Sequence, residues 1–189
     1  MKIKLIKFKS VRSTNSTALR LIKNKYTKPT IISAVKQTKG RGTMGKKWIS
    51  KKGNLFITIF FDMSKKKIDF KKFAILNAYL LKGILSKKFS YKIKIKWPND
   101  LMFESKKICG ILQETVINEG KKFLIIGFGI NTNYDPKNIS FSSTSLKLIS
   151  NKSIDNKKLF NMIKNKYEKF LFKTKHHSFS ELKKFINKL

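Results

Sequence analysis

The sequence predicts an α/β (α+β) fold: a mixed β-sheet with flanking helices. Two observations carry this expectation. Several short runs are β-branched, aromatic or alternating, and many are joined by short polar connections. Longer runs with apolar residues at helical spacing lie among and after them, so helices pack on a sheet whose strands are not all parallel. The 189 residues suit one domain and can bury a sizeable core without disulfides or a structural metal.

Each element has a local reason. Residues 2–8 alternate lysine with apolar side chains, the pattern of a half-buried strand. Ser13, Thr14 and Asn15 offer N-cap side chains for a helix to about residue 25, with Ala18, Leu21 and Ile22 on one face. Residues 30–35 read as a strand. Residues 36–47 are polar, contain glycines, lack periodicity and read as a loop. Residues 54–61 form a strongly β-prone run. A helix is expected over 69–87, carrying Phe73, Leu76, Ala78, Leu80 and Leu81. Residues 91–97 alternate again and stop at Pro98-Asn99-Asp100, a turn signal. Strands are expected over 107–116 and 122–128, joined near Asn118-Glu119-Gly120. Residues 135–151 read mostly as loop with a serine cluster. In 155–172, Leu159, Phe160, Ile163, Tyr167, Phe170 and Leu171 stand at helical spacing. Ser178 and Glu181 have the spacing of a capping box before a last short helix.

Composition narrows the function. One cysteine excludes an intrachain disulfide framework, and one Cys with two His excludes a Cys-rich zinc module. No uncharged apolar run approaches the ~18 residues that span a bilayer. The basic N-terminal stretch alternates and lacks the apolar core of a signal peptide, so a soluble cytoplasmic protein is expected. Lys plus Arg is 44 against 10 for Asp plus Glu, a net +34. Such charge suits phosphate neutralisation on nucleic acid. Base readout and bidentate clamps favour arginine, however, and the only arginines are Arg12, Arg20 and Arg41. Lys, Asn, Ile and Phe share A/T-rich codons, so drift toward AT accounts for most of this charge. A retained Arg, Gly, Trp, Pro or Asp is then more informative than any lysine.

Three segments sit at strand ends where the core pattern does not explain them. In Gln37 to Trp48, three glycines within six residues let backbone N–H groups approach an anion. Arg41 stands between two of them and can clamp a phosphate or carboxylate. Trp48 either walls a pocket or joins the core. This is neither GxxxxGK[ST] nor GxGxxG. The second is Lys96-Trp97-Pro98-Asn99-Asp100 followed by Lys106 to Glu114. Its turn offers a carboxylate and a carboxamide to a metal or polar ligand, or simply caps itself, and Lys107 can neutralise charge there. The third is Gly127-Phe128-Gly129-Ile130-Asn131, where strand glycines mark either close approach or a bulge, and Asn131 carries donor and acceptor together. Cys109 lies in an apolar run and reads as a packed thiol. His176-His177 has no third ligand, and Ser13 has no identifiable His/Asp pair.

In this order and spacing, the segments resemble the catalytic domain of biotin protein ligase, the biotin–[acetyl-CoA-carboxylase] ligase family. Ser13-Thr14-Asn15 resembles its STN motif. Gln37 with Gly40-Arg41-Gly42 and Gly45 to Trp48 resembles GRGRxGRxW. Lys96 to Leu101 reproduces KWPNDL. Lys107, Gly110 to Leu112 and Glu114 resemble KxxGILxE, and Gly127 to Asn131 resembles GxGIN. The match runs from about Ser10 to Asn133, two-thirds of the chain.

The resemblance implies the fold of the biotin/lipoate protein ligase catalytic domain, akin to class II aminoacyl-tRNA synthetases. It implies two steps: biotin and MgATP give biotinyl-5′-AMP and pyrophosphate, then a lysine of the biotin carboxyl carrier protein attacks the mixed anhydride and AMP leaves. Lys107 and Arg41 are the implied catalytic cations. Ser13, Thr14, Asn15, Gln37, Gly40, Arg41, Gly42, Thr43, Lys107, Gly110, Gly127 and Gly129 are the implied biotin site. Trp48, Asn99 and Asn131 take the ATP and its adenine, and Asp100 helps place Mg2+. No prosthetic group, membrane or specific nucleic acid is implied, and a homodimer is a possibility the family allows.

The expected organisation is a single catalytic domain over 1–189, with neither the N-terminal DNA-binding domain of repressor-type members nor the C-terminal SH3-like barrel. Where the family usually has a basic residue after GRG, this chain has Thr43, which implies looser retention of the adenylate. The alternatives are lipoate or octanoate transfer within the same superfamily, which has a different loop and no KWPNDL, and a basic nucleic-acid-binding module.

Overall fold

The computed structural model describes residues 2–64, 66, 68–137, 141–174 and 176–188. In chain order the elements are β1 (Lys4–Val11), α1 (Thr14–Lys23), β2 (Thr30–Gln37), β3 (Leu55–Asp62), α2 (Phe70–Lys88), β4 (Lys94–Lys96), β5 (Asp100–Phe103), β6 (Lys106–Asn118), β7 (Lys121–Ile130), α3 (Leu146–Ser150), α4 (Asn156–Lys173) and α5 (Phe179–Asn187). The chain divides into two compact units. One comprises Lys2–Lys65 with Gly110–Ile130, the other Lys66–Cys109 with Asn131–Leu189. The strand order is β1-β2-β3-β7-β6 in the first and β6-β5-β4 in the second, with β6 beginning in the second and continuing in the first.

In the first unit β1 and β2 are parallel, joined through α1, while β2–β3 and β3–β7 are antiparallel. This is the mixed sheet that the sequence predicts. Phe123 to Ile130 of β7 is buried at every position, as is Leu55 to Phe61 of β3, so both read as continuous apolar runs. Ala18 and Ile22 of α1 pack on Ile32, Phe60, Phe123 and Ile125, all inaccessible. Burying each large aliphatic or aromatic side chain contributes roughly 1.5–3 kcal/mol. Glu119 and Gly120 both have positive φ, 47° and 69°, the two-residue turn that joins β6 to β7.

In the second unit, α2 is capped by the Asp69 carboxylate, which accepts from the Lys72 amide, and α4 by Asp155, which accepts from the Lys157 and Lys158 amides. Phe73 and Phe170 meet edge to face at 6.4 Å. The buried Tyr167 hydroxyl donates to Asn77 Oδ1 at 3.2 Å. The capping box at Ser178 and Glu181 is formed.

Three elements, β4, β5 and α3, differ from expectation. The alternation over 91–97 yields a strand only at Lys94–Lys96, because the chain turns back at Trp97-Pro98-Asn99 and pairs Lys94, Ile95 and Lys96 with Met102, Leu101 and Asp100. Helix α3 interrupts the predicted loop of 135–151. It has five residues, too few to show a period, and is started by the Ser145 hydroxyl accepting from the Leu148 amide. Residues 138–140 of that segment lie outside the described residues. No described helix is long and apolar enough to cross a membrane.

Candidate functional site

The first unit gathers the Ser-Thr-Asn motif, the glycine-rich loop and the glycines of β7. Ser13 is extended and its hydroxyl accepts from the Ser16 amide, starting α1. That cap turns Thr14 and Asn15 inward, where both are buried. The Thr14 amide and hydroxyl both donate to Gln37 Oε1, at 2.7 and 3.0 Å. Gln37 Nε2 donates to the Ser50 hydroxyl at 2.8 Å, and Ser50 donates to the Trp48 carbonyl at 3.1 Å. Gly40 is required here: a Cβ would overlap the Trp48 carbonyl and lie 3.1 Å from Gln37 Nε2.

Asn15 is held on every side. Its Nδ2 donates to the Leu112 carbonyl at 3.2 Å and to Glu114 Oε2 at 2.8 Å, and its Oδ1 accepts from the Thr58 hydroxyl at 2.6 Å. Gly127 leaves room for this amide, since a Cβ there would overlap Asn15 Oδ1. Glu114 in turn straddles Arg41 Nη2, with Oε1 at 2.8 Å and Oε2 at 2.6 Å. The Arg41 side chain stays 40% exposed.

The loop itself is a small hairpin. Arg41 and Lys47 form an antiparallel bridge, the Gly42 amide donates to the Lys46 carbonyl at 2.7 Å, and the Trp48 amide donates to the Gly40 carbonyl at 3.0 Å. Its tip is a short 3₁₀ turn over Thr43–Gly45 in which Thr43 is exposed. The Trp48 indole lies against Gly129, where a Cβ would overlap the ring. The strand glycines therefore mark close approach of side chains, Asn15 and Trp48. Gly110 sits half-buried on β6.

The second unit gathers Asp100, Lys107 and Asn131. Lys107 Nζ forms an ion pair with Asp100 Oδ1 at 2.7 Å, with the two side chains 15% and 21% exposed. The ammonium also lies 4.9 Å from the centre of the Phe141 ring. Residues 142–144 strap the lysine backbone: the Lys107 amide donates to the Ser142 carbonyl, and the Thr144 amide to the Lys107 carbonyl. Asn131 is buried, and its Nδ2 donates to the Thr144 carbonyl at 3.2 Å and the Lys107 carbonyl at 3.4 Å. Asn99 lies in the turn beside Asp100, after a cis Trp97–Pro98 bond. Cys109 is fully buried, and burial foremost pushes its thiol far above the usual range. Among the described residues no group of three His, Cys, Asp or Glu is poised to hold a metal. A hard cation bound through one carboxylate and a ligand's phosphates needs no such group, and Asp100 supplies one carboxylate.

The expected residues thus fall into two clusters, each with one cation paired to one acid. Sequence reasoning missed the struts. Thr58 and Ser50 carry no motif of their own. Glu114 stands in the KxxGILxE resemblance, but its role was missed because its partners lie 73 and 99 residues away.

A family model for the biotin/lipoate A/B protein ligases matches residues 7–131. The Bifunctional ligase/repressor BirA of Bacillus subtilis is 31% identical over 179 residues, covering 90% of this chain and 54% of that protein. The chain thus spans about half the length of the curated relatives it matches. The biotin protein ligase of Aquifex aeolicus in complex with biotin and ATP superposes with a TM-score of 0.81 at 31% identity, covering 97% of this chain and 76% of that one. The biotin protein ligase of Leishmania major in complex with biotinyl-5-AMP gives a TM-score of 0.69 at 27% identity, covering 86% and 72%. The chain belongs to the biotin/lipoate A/B protein ligase family.

Proposed function

We propose that the chain is an ATP-dependent biotin protein ligase that forms biotinyl-5′-AMP and passes biotin to a lysine of the biotin carboxyl carrier protein of acetyl-CoA carboxylase. The observation that supports this reading best is the pair of engaged cations, Arg41 on Glu114 and Lys107 on Asp100. A carboxylate and an α-phosphate are both anionic, and their reaction needs positive charge where charge develops. No protein nucleophile is required, because ATP activates the acid and the protein supplies orientation.

On this reading Ser13, Thr14, Asn15, Gln37 and the loop from Gly40 to Thr43 take the biotin, with Gly127 and Gly129 serving the site indirectly by making room for Asn15 and Trp48. Trp48, Asn99 and Asn131 take the nucleotide. Asp100 is the carboxylate that would hold Mg2+ together with the phosphates, where the ion would neutralise phosphate charge. The glycine-rich hairpin excludes water from the adenylate. The location assigned is the cytoplasm, and the charge of +34 favours encounter with an acidic carrier surface. A homodimer is the assembly to test by sedimentation.

The test is pyrophosphate release with biotin and ATP, repeated with Lys107→Ala and with carrier present. Release that needs biotin, falls at least a hundredfold in the variant and ends in a biotinylated carrier lysine supports the reading. Release with lipoate in place of biotin moves the chain to the lipoate branch of the family. Release with neither removes the ligase assignment.

A further inference from the structure

We propose that Glu114 is a positioning residue that aims Arg41 at the anionic group of the bound acid, and so sets the preference for a carboxylate ligand. This rests on the ligase reading. Both Glu114 oxygens face one nitrogen, Nη2, at 2.8 and 2.6 Å. Among the described residues, Nη1 and Nε of Arg41 have no partner. A guanidinium presents five donors in a fixed plane, so holding Nη2 orients Nη1 without consuming either of its protons. Nη1 is then the end of the side chain that meets a carboxylate or phosphate.

Glu114 can aim because it is itself fixed. Its Oε2 also accepts from Asn15 Nδ2 at 2.8 Å, and Asn15 is tied to Thr58 and to the Leu112 carbonyl. The chain of contacts runs from buried β3 through the first turn of α1 to the loop arginine. Without it, Arg41 stands on an exposed hairpin whose internal bonds are those of Gly42, Lys46 and Trp48 amides. Such a side chain loses rotamer freedom on binding, which a positioned one has already given up.

The alternative role, in which Glu114 competes with the ligand for Arg41, predicts the opposite sign. Calorimetry of the full chain with biotin and with biotin methyl ester separates them. Glu114→Gln is expected to weaken biotin about tenfold, the weight of one hydrogen bond to a charged group, and to leave the uncharged ester unchanged. In an Arg41→Gln background the same substitution is expected to have no further effect. Unchanged or tighter biotin binding in Glu114→Gln overturns the proposal, as does equal loss for both ligands, which is what mere structural damage produces. Hydrogen exchange without ligand keeps the two readings distinguishable. If the wild-type chain binds no biotin, the ligase reading fails, and the clamp is still read from the Gly42, Lys46 and Trp48 amides. These should exchange faster in Glu114→Gln and in Arg41→Gln by the same factor, and no faster in the double variant. Exchange that does not respond to Glu114→Gln refutes the clamp itself.

Discussion

Replacing Gly127 by alanine adds one methyl group where Asn15 is pinned. The new Cβ overlaps Asn15 Oδ1 and lies 2.9 Å from its Cγ, against 3.4 Å for ordinary contact. Asn15 is 2% exposed and Thr58 is inaccessible, so neither can turn to solvent. Retreat of the amide costs the bonds to Thr58, Leu112 and Glu114. At about 1 kcal/mol net each, the loss is about 3 kcal/mol. Urea unfolding followed by circular dichroism measures it, with Gly83→Ala as the matched control. Nothing lies within 4 Å of a Cβ on Gly83, which sits inside α2, so that variant should gain about 0.5–1 kcal/mol from helix propensity. A Gly127→Ala protein as stable as wild type would show that Asn15 is free to move, and the rigid strut behind Glu114 would fall with it.

Three further outcomes follow from the same geometry. Thr43→Arg should suppress biotinylation of bystander lysines by the wild-type chain, read by mass spectrometry of bulk protein incubated with enzyme, biotin and ATP; strictly carrier-only labelling by wild type removes the looser-retention reading of Thr43. Cys109 should resist iodoacetamide at pH 8.5 until the chain is denatured, because burial raises its thiol far above the usual range; alkylation of native protein at the rate of free cysteine contradicts the packing. Asp155 is held below its ordinary 3.8, chiefly by the Lys158 amide bond. A lowered carboxylate stabilises the fold above its unfolded value and loses that contribution as pH falls through the folded one. Asp155→Asn keeps a cap while removing the titration, so its unfolding midpoint should change less than wild type's below pH 4.

Much of the fold was legible because local signals agreed with tertiary demand. Ser13, Asp69, Asp155 and Ser178 each cap a helix at the predicted start or within one residue of it. Strand β5 was not legible. Asp100 to Phe103 is four residues long and follows a Pro-Asn turn, so its extended state comes from pairing with β4, which no local pattern encodes. The site residues of the motifs were legible as chemistry but not as wiring. The resemblance gives Asn15 and Gln37 as biotin ligands, yet their hydrogen bonds go to Leu112, Glu114, Thr58, Thr14 and Ser50, over separations that sequence spacing does not reveal.

The grip on a single guanidinium nitrogen bears on how this chain could have changed over its history. Lysine stands at almost every basic position, as A/T-rich codons favour, with three arginines among 44 basic residues. An ammonium has one nitrogen, so the contact that restrains it also covers much of it. At position 41 the Arg-to-Lys exchange that costs little on a solvated face removes the ability to be held by one partner while offering two donors to another. A mutational pressure acting evenly on codons thus meets uneven resistance from chemistry, and the hairpin is a place where a single base change is not a conservative one.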